Sequence, residues 1–202
     1  MTVRRRLFVV AAGSAVLLAG CDWLRGSPAG PTFQSTDITG AEFARRLELP
    51  GLDGQPRSLA DWKGKVTVVF FGYTHCPDFC PATLAELAQI RRTLGADGDK
   101  LQVVFVTVDP ERDTAEILKA YTDNFGPGVT ALRGTPEETA AVAKEFKVFF
   151  AKVPGKTAGS YTMDHSAASF VFDASGRVRL YVPYGSDPKA VAADLKQLLA
   201  GV

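Results

Sequence analysis

Three features of the sequence predict an α/β fold built on a mixed sheet. Two continuous apolar runs, "VTVVFF" (Val66–Phe71) and "VVFVTV" (Val103–Val108), are rich in β-branched and aromatic residues, which suits strands buried on both faces. Between them Leu84, Leu87, Ile90 and Leu94 recur at helical spacing. The resulting strand–helix–strand unit gives parallel neighbours. Near the C-terminus, Ala168–Phe172 and Val178–Val182 flank "DASG", a turn signal that makes them an antiparallel hairpin.

The elements follow in chain order. "MTVRRR" is a basic leader, and Leu7–Leu18 ("LFVVAAGSAVLL") is an apolar segment too short to cross a hydrocarbon core of roughly 30 Å as a helix. It has the length of a secretion signal, so residues 1–20 are read as a signal peptide. "LLAGC" resembles a bacterial lipobox, where cleavage falls before the cysteine and Cys21 is lipidated. Acyl chains, each worth about 0.8 kcal/mol per buried CH₂, would hold the protein on a membrane, facing the periplasm or the outside. Arg5-Arg6 before Leu7-Phe8 leaves twin-arginine export open beside the general route, and Asp22 leans towards inner-membrane retention. Residues 21–43 carry Gly26, Pro28, Gly30 and Pro31 without periodicity and read as a flexible tether. The folded domain is expected over 44–202.

That domain opens with "LELPGLDGQPRSLADWKGK", a short hairpin around Asp53-Gly54. After the second core strand a helix from about Thr114 is expected to bury Ile117, Leu118, Tyr121 and Phe125, and "GVTAL" suits a short strand. "TPEE" offers Thr135 as N-cap, Pro136 at the first helical position and Glu138 closing a capping box, for a helix to about Phe146. Lys147–Met163 is rich in Lys and Gly without a helical period, and reads as a loop that is mobile until a metal binds. After the late hairpin, Asp187 and Pro188 start a last amphipathic helix through Val191, Leu195 and Leu198. Parallel units followed by an antiparallel hairpin and a terminal helix describe a thioredoxin-like fold.

Composition narrows the function. A chain of 202 residues, 46% hydrophobic and 22% charged, is globular and sized for one domain. Lys and Arg number 23 against 22 Asp and Glu, and loss of the three leader arginines leaves a small acidic excess. No basic stripe is present, which argues against nucleic acid as a partner.

The chemistry sits in "FGYTHCPDFCP", Phe71–Pro81, at the junction of the first core strand and its helix. With Cys21 lipidated, Cys76 and Cys80 are the remaining thiols, in an oxidising compartment. A disulfide between them would close too small a loop to stabilise much. Four-residue spacing on a helix places both sulfurs on one face, where they can form a redox disulfide or hold one metal ion. A helix start favours thiolate for either purpose.

Only two histidines exist. His75 adjoins Cys76 and is expected to point elsewhere, whereas His165, before the late hairpin strand, faces the Cys-bearing loop in a thioredoxin-like fold. Zinc would need a fourth ligand from His75, Asp164 or water. Thiolate with imidazole suits copper, and an open three-ligand site can release its cargo to a partner.

"FGYTHCPDFCP", "VTVDPERD" and "DHSAASFVFD" together resemble the Sco/SenC proteins, over roughly Leu47–Leu199. The resemblance implies a thioredoxin-like copper protein in which Cys76, Cys80 and His165 hold Cu(I) or Cu(II). It further implies assembly of cytochrome c oxidase, by delivering copper to the CuA site of subunit II or by reducing that subunit's cysteines. Another periplasmic copper chaperone is a candidate to supply the metal. Asp164 and Asp109 are candidates to orient the ligands from behind. Tyr73 and Tyr161 flank the site, as docking surface or as packing, and Met163 reads as packing.

The competing reading is a membrane-anchored thiol–disulfide oxidoreductase using Cys76 and Cys80 alone. Such enzymes typically carry a cis-proline before the late hairpin strand; here that place reads Asp164-His165-Ser166-Ala167.

Overall fold

The computed structural model describes residues 32–201. The signal segment, Cys21 and the first part of the tether lie outside these. A six-stranded sheet forms the centre, in the order β1-β10-β9-β4-β5-β6. Its strands are β1 (Thr36–Asp37), β4 (Val66–Gly72), β5 (Leu101–Thr107), β6 (Val129–Leu132), β9 (Ala168–Phe172) and β10 (Val178–Pro183). Two-stranded ribbons are made by β2 (Glu48–Pro50) with β3 (Pro56–Ser58), and by β7 (Phe150–Pro154) with β8 (Tyr161–His165). The helices are α1 (Phe79–Thr93), α2 (Ala115–Asp123), α3 (Pro136–Glu145) and α4 (Pro188–Leu199).

Strands β4 and β5 are buried along their whole length, as their unbroken apolar runs require. They pair in parallel, while β9 pairs antiparallel to the other edge of β4, with Val69 opposite Phe170. Phe146 knits the layers, its ring 5.1 Å from Phe71 and 5.2 Å from Phe170. The expected capping box on α3 forms, Thr135 and Glu138 each receiving the other's backbone N–H. Asp187 caps α4 and Pro188 begins it.

Four expectations change. The folded unit starts before residue 44: β1 joins the edge of β10, and the buried Asp194 carboxylate accepts the N–H groups of Gln34 and Ser35 at 2.9 and 2.7 Å. Ile117 is 41% exposed, because α2 turns Leu118 inward instead. Part of the expected loop Lys147–Met163 is the β7–β8 ribbon, a local antiparallel pairing in which Phe150 faces His165. Burial alternates only along β8, where Tyr161, Met163 and His165 turn inward, while β7 shows no such period. Finally, α1 begins at Phe79, so Cys76 lies before the helix.

Candidate metal centre

Strand β4 ends at Gly72, and the chain turns sharply through residues 73–78. Cys76 donates its N–H to the Tyr73 carbonyl at 3.3 Å, closing the turn. Pro81 sits in the first turn of α1, where its missing N–H has no helical partner to lose. That limits how early the helix can start, so the two cysteines meet across a turn and a helix end rather than along one helix face. Cys80 is fully buried and Cys76 nearly so. Gly72 makes the room: a Cβ there would lie 2.7 Å from Cys80 Sγ and 2.8 Å from Phe105 Cε2.

Asp113 fixes this loop, although sequence reasoning passed over it. Its wholly buried carboxylate accepts the Thr74 hydroxyl at 2.6 Å, the Thr74 N–H at 3.1 Å and the Thr107 hydroxyl at 2.6 Å. The signal was present in "VDPERD", where two acids close one turn and only the first drew notice. His75 points outward, as expected: its side chain is half exposed, with Nδ1 3.1 Å from Thr74 Oγ1 and 3.8 Å from Asp113.

His165, the last residue of β8, arrives from the other side. Its Nδ1 is 3.1 Å from the Ser166 carbonyl oxygen, an atom that only accepts, so Nδ1 carries the hydrogen. Nε2 then presents its lone pair to Cys80 Sγ, 3.6 Å away. Burial holds the His165 pKa below its ordinary value, against the pull of the Ser166 carbonyl and Asp164, so the ring is neutral at pH 7. Tyr73 and Phe70 meet the imidazole edge to face, with centroids 5.9 and 6.4 Å away. The ligand atoms of Cys76, Cys80 and His165 all lie within 4.8 Å of one another.

The helix start does not make Cys80 a thiolate. Burial drives its pKa well above the usual range, and the neighbouring Cys76 and Asp113 add to the effect. Desolvation outweighs the partial charge of a helix terminus, so the metal-free site holds a neutral thiol at Cys80. Both cysteines are unpaired.

The outer candidates separate. Strand alternation turns Asp164 to solvent, and the Ser166 carbonyl occupies Nδ1 in its place. Asp109 is buried but touches no ligand: it pairs with Arg112 and accepts the Tyr161 hydroxyl at 2.8 Å. Burial first, and then that carboxylate, push the Tyr161 hydroxyl up to about 12. Tyr73 and Met163 are buried and pack.

An open cleft of about 690 Å³ reaches Cys76 and His165. Phe79 and Phe149, 46% and 64% exposed, stand beside it. Cys80 is fully buried and does not line the cleft. Two sulfurs and one imidazole make a soft, three-ligand set. Among the described residues no further His, Cys or carboxylate joins them, which disfavours closed tetrahedral zinc.

Residues 35–200 match the SCO1/SenC family model. The mouse protein named mitochondrial SCO2 homologue is 34% identical over 149 residues, 73% of this chain. This chain spans 58% of that relative's length. The structure of Bradyrhizobium japonicum ScoI with copper bound is 41% identical, with TM-score 0.68, over 76% of this chain and 97% of that one. Solution structures of apo Sco1 from Thermus thermophilus are 36% identical, with TM-score 0.73, over 84% of this chain and 99% of theirs.

Proposed function

The chain belongs to the SCO1/SenC family, and on that premise we propose that it binds copper through Cys76, Cys80 and His165 as cargo for cytochrome c oxidase assembly. The recipient is the CuA site of oxidase subunit II, and another periplasmic copper chaperone supplies the ion. One observation carries the reading: two thiols and a neutral imidazole, its Nε2 turned towards Cys80, lie within 4.8 Å of one another beside an open cleft, with no fourth His, Cys or carboxylate among the described residues. Such a site binds a soft ion while leaving a side open to an incoming thiolate or imidazole, as a carrier needs and a store does not. The copper-bound Bradyrhizobium structure supports the same choice of metal.

The anchored location rests on the sequence. With Cys21 lipidated after removal of residues 1–20, the domain works at the membrane surface on a short tether. No helix among the described residues is long and apolar enough to cross a membrane.

The adjacent, unpaired thiols also favour a second reading, reduction of a partner disulfide. Cys76, which faces the cleft, would attack one sulfur of that disulfide. Cys80 would then release the partner as a dithiol, leaving a Cys76–Cys80 disulfide and passing on two electrons and two protons. That chemistry needs no imidazole.

His165→Ala separates the two readings. Copper affinity should fall at least 10–100-fold, the loss seen even for residues one contact removed from a metal. The Cys76–Cys80 disulfide should still form and break, and oxidase activity in cells should fall, with partial recovery on added copper. Normal oxidase activity in this strain, lost only on Cys76→Ser or Cys80→Ser, would favour the reductase.

A further inference from the structure

The turn Asp109–Asp113, between β5 and α2, grips both halves of the metal centre. On one side Asp113 holds the Cys loop through Thr74. On the other, Asp109 and Arg112 hold Tyr161, the first residue of the strand that ends in His165. The Arg112 guanidinium lies 3.6 Å from the Tyr161 ring centroid, while Nη1 donates to the Tyr161 carbonyl at 2.9 Å and Nε to Asp109. Lys152 on the partner strand reaches Glu111 of the same turn at 2.6 Å. Arg112 Nη2 is buried without a partner, so the planar fork is held by the ring stack and its two other nitrogens.

We propose that Tyr161 and Arg112 are positioning residues for His165, clamping the β7–β8 ribbon so that Nε2 meets the two sulfurs. Tyr161 and His165 lie four residues apart on one face of the same strand, so displacing Tyr161 displaces the strand that carries His165. Beyond that end the ribbon's tip, residues 155–160, is exposed, so Tyr161 is where the strand meets the body of the domain. The ring stack fixes where the strand lies, the hydroxyl bond to Asp109 fixes its rotation, and the carbonyl bond fixes its register against the turn. Because the same turn anchors Thr74, it sets the spacing between thiols and imidazole. The inference deepens the copper reading and rests on it for its affinity arm alone.

Two variants of the full-length chain test it. Tyr161→Phe keeps the ring and deletes the hydroxyl; Arg112→Lys keeps the charge and deletes the stacked fork. In the metal-free protein, amide hydrogen exchange over residues 150–165 should quicken on the order of tenfold, as expected for the loss of one part-buried, charge-assisted hydrogen bond. The His165 ring resonances should broaden. Copper(I) affinity, from competition with a chromophoric chelator, should fall about 10–100-fold. Alkylation rates of Cys76 and Cys80 should stay at wild-type values, since Asp113 still holds their loop. Wild-type exchange and ring signals in both variants overturn the clamp, as does an affinity loss with the ribbon unchanged. If the wild-type chain takes no copper, the function reading fails and the metal-free measurements still decide the clamp.

Discussion

Residues 72–80 run between a buried core strand and a helix, whereas residues 150–165 form a separate two-stranded ribbon with an exposed tip. The Cys loop has a fully buried strand before it, a helix after it, and three hydrogen bonds from Thr74 and Thr107 converging on Asp113. Its sulfur fills a space that Gly72 leaves open. The ribbon carrying His165 pairs only with itself, and β7 is exposed over its last three residues. Cys76 and Cys80 therefore sit in the main core, while His165 comes from a ribbon that meets this core through Met163 and its own ring contacts.

The contrast breaks first at Asp113. Asp113→Ala removes the acceptor of the Thr74 N–H and of two hydroxyls, and should destabilise the domain by about 2–4 kcal/mol in denaturant unfolding. A loss no larger than that of an exposed substitution on β7 would mean that the two regions are equally loose.

A smaller break is expected at Gly72. In Gly72→Ala the new methyl must displace Cys80 Sγ or the Phe105 ring, an overpacking cost of about 1–3 kcal/mol. Copper affinity should fall with it, because the sulfur is pushed from its place. Wild-type stability and affinity together would show that the thiol pocket has slack.

The smallest effect is on protons, and it sharpens the comparison. Burial keeps the Cys80 thiol protonated at neutral pH, so copper must expel that proton. Burial also keeps His165 neutral, so the imidazole has no proton to lose. Apparent copper affinity should therefore rise with pH by about tenfold per unit for the Cys80 proton, roughly 1.4 kcal/mol. No added steepening should appear as pH falls through the ordinary histidine range. Affinity that is flat between about pH 7 and pH 8 would mean that Cys80 is already ionised in the folded chain.

Legibility in the sequence followed the same division. Strands β4 and β5, the α3 capping box and the late hairpin were readable because each is written in local runs: apolar stretches, "TPEE" and "DASG". The ribbon was not, since Lys152 and Val153 on its exposed strand carry no apolar face to mark a period. Ile117 misled because helical spacing alone does not say which side of α2 meets the sheet. For Cys76 and Cys80 the spacing suggested a shared helix face, whereas the structure brings the two together across a turn and a helix end.

By itself the sequence determined the fold class, and through it the strand–helix junction where Cys76 and Cys80 sit and the late loop that carries His165. Apolar periodicity and turn residues act over a few positions, and the chain contains few other groups of that chemistry. Only the tertiary structure decided the protonation of Cys80 and the tautomer of His165. It also decided the exclusion of Asp164 and the parts taken by Asp113, Arg112 and Tyr161. Each of these depends on burial and on contacts between residues tens of positions apart, such as Thr74 with Asp113 and Asp109 with Tyr161. Desolvation and hydrogen-bond direction are properties of a packed environment, and no local pattern encodes them.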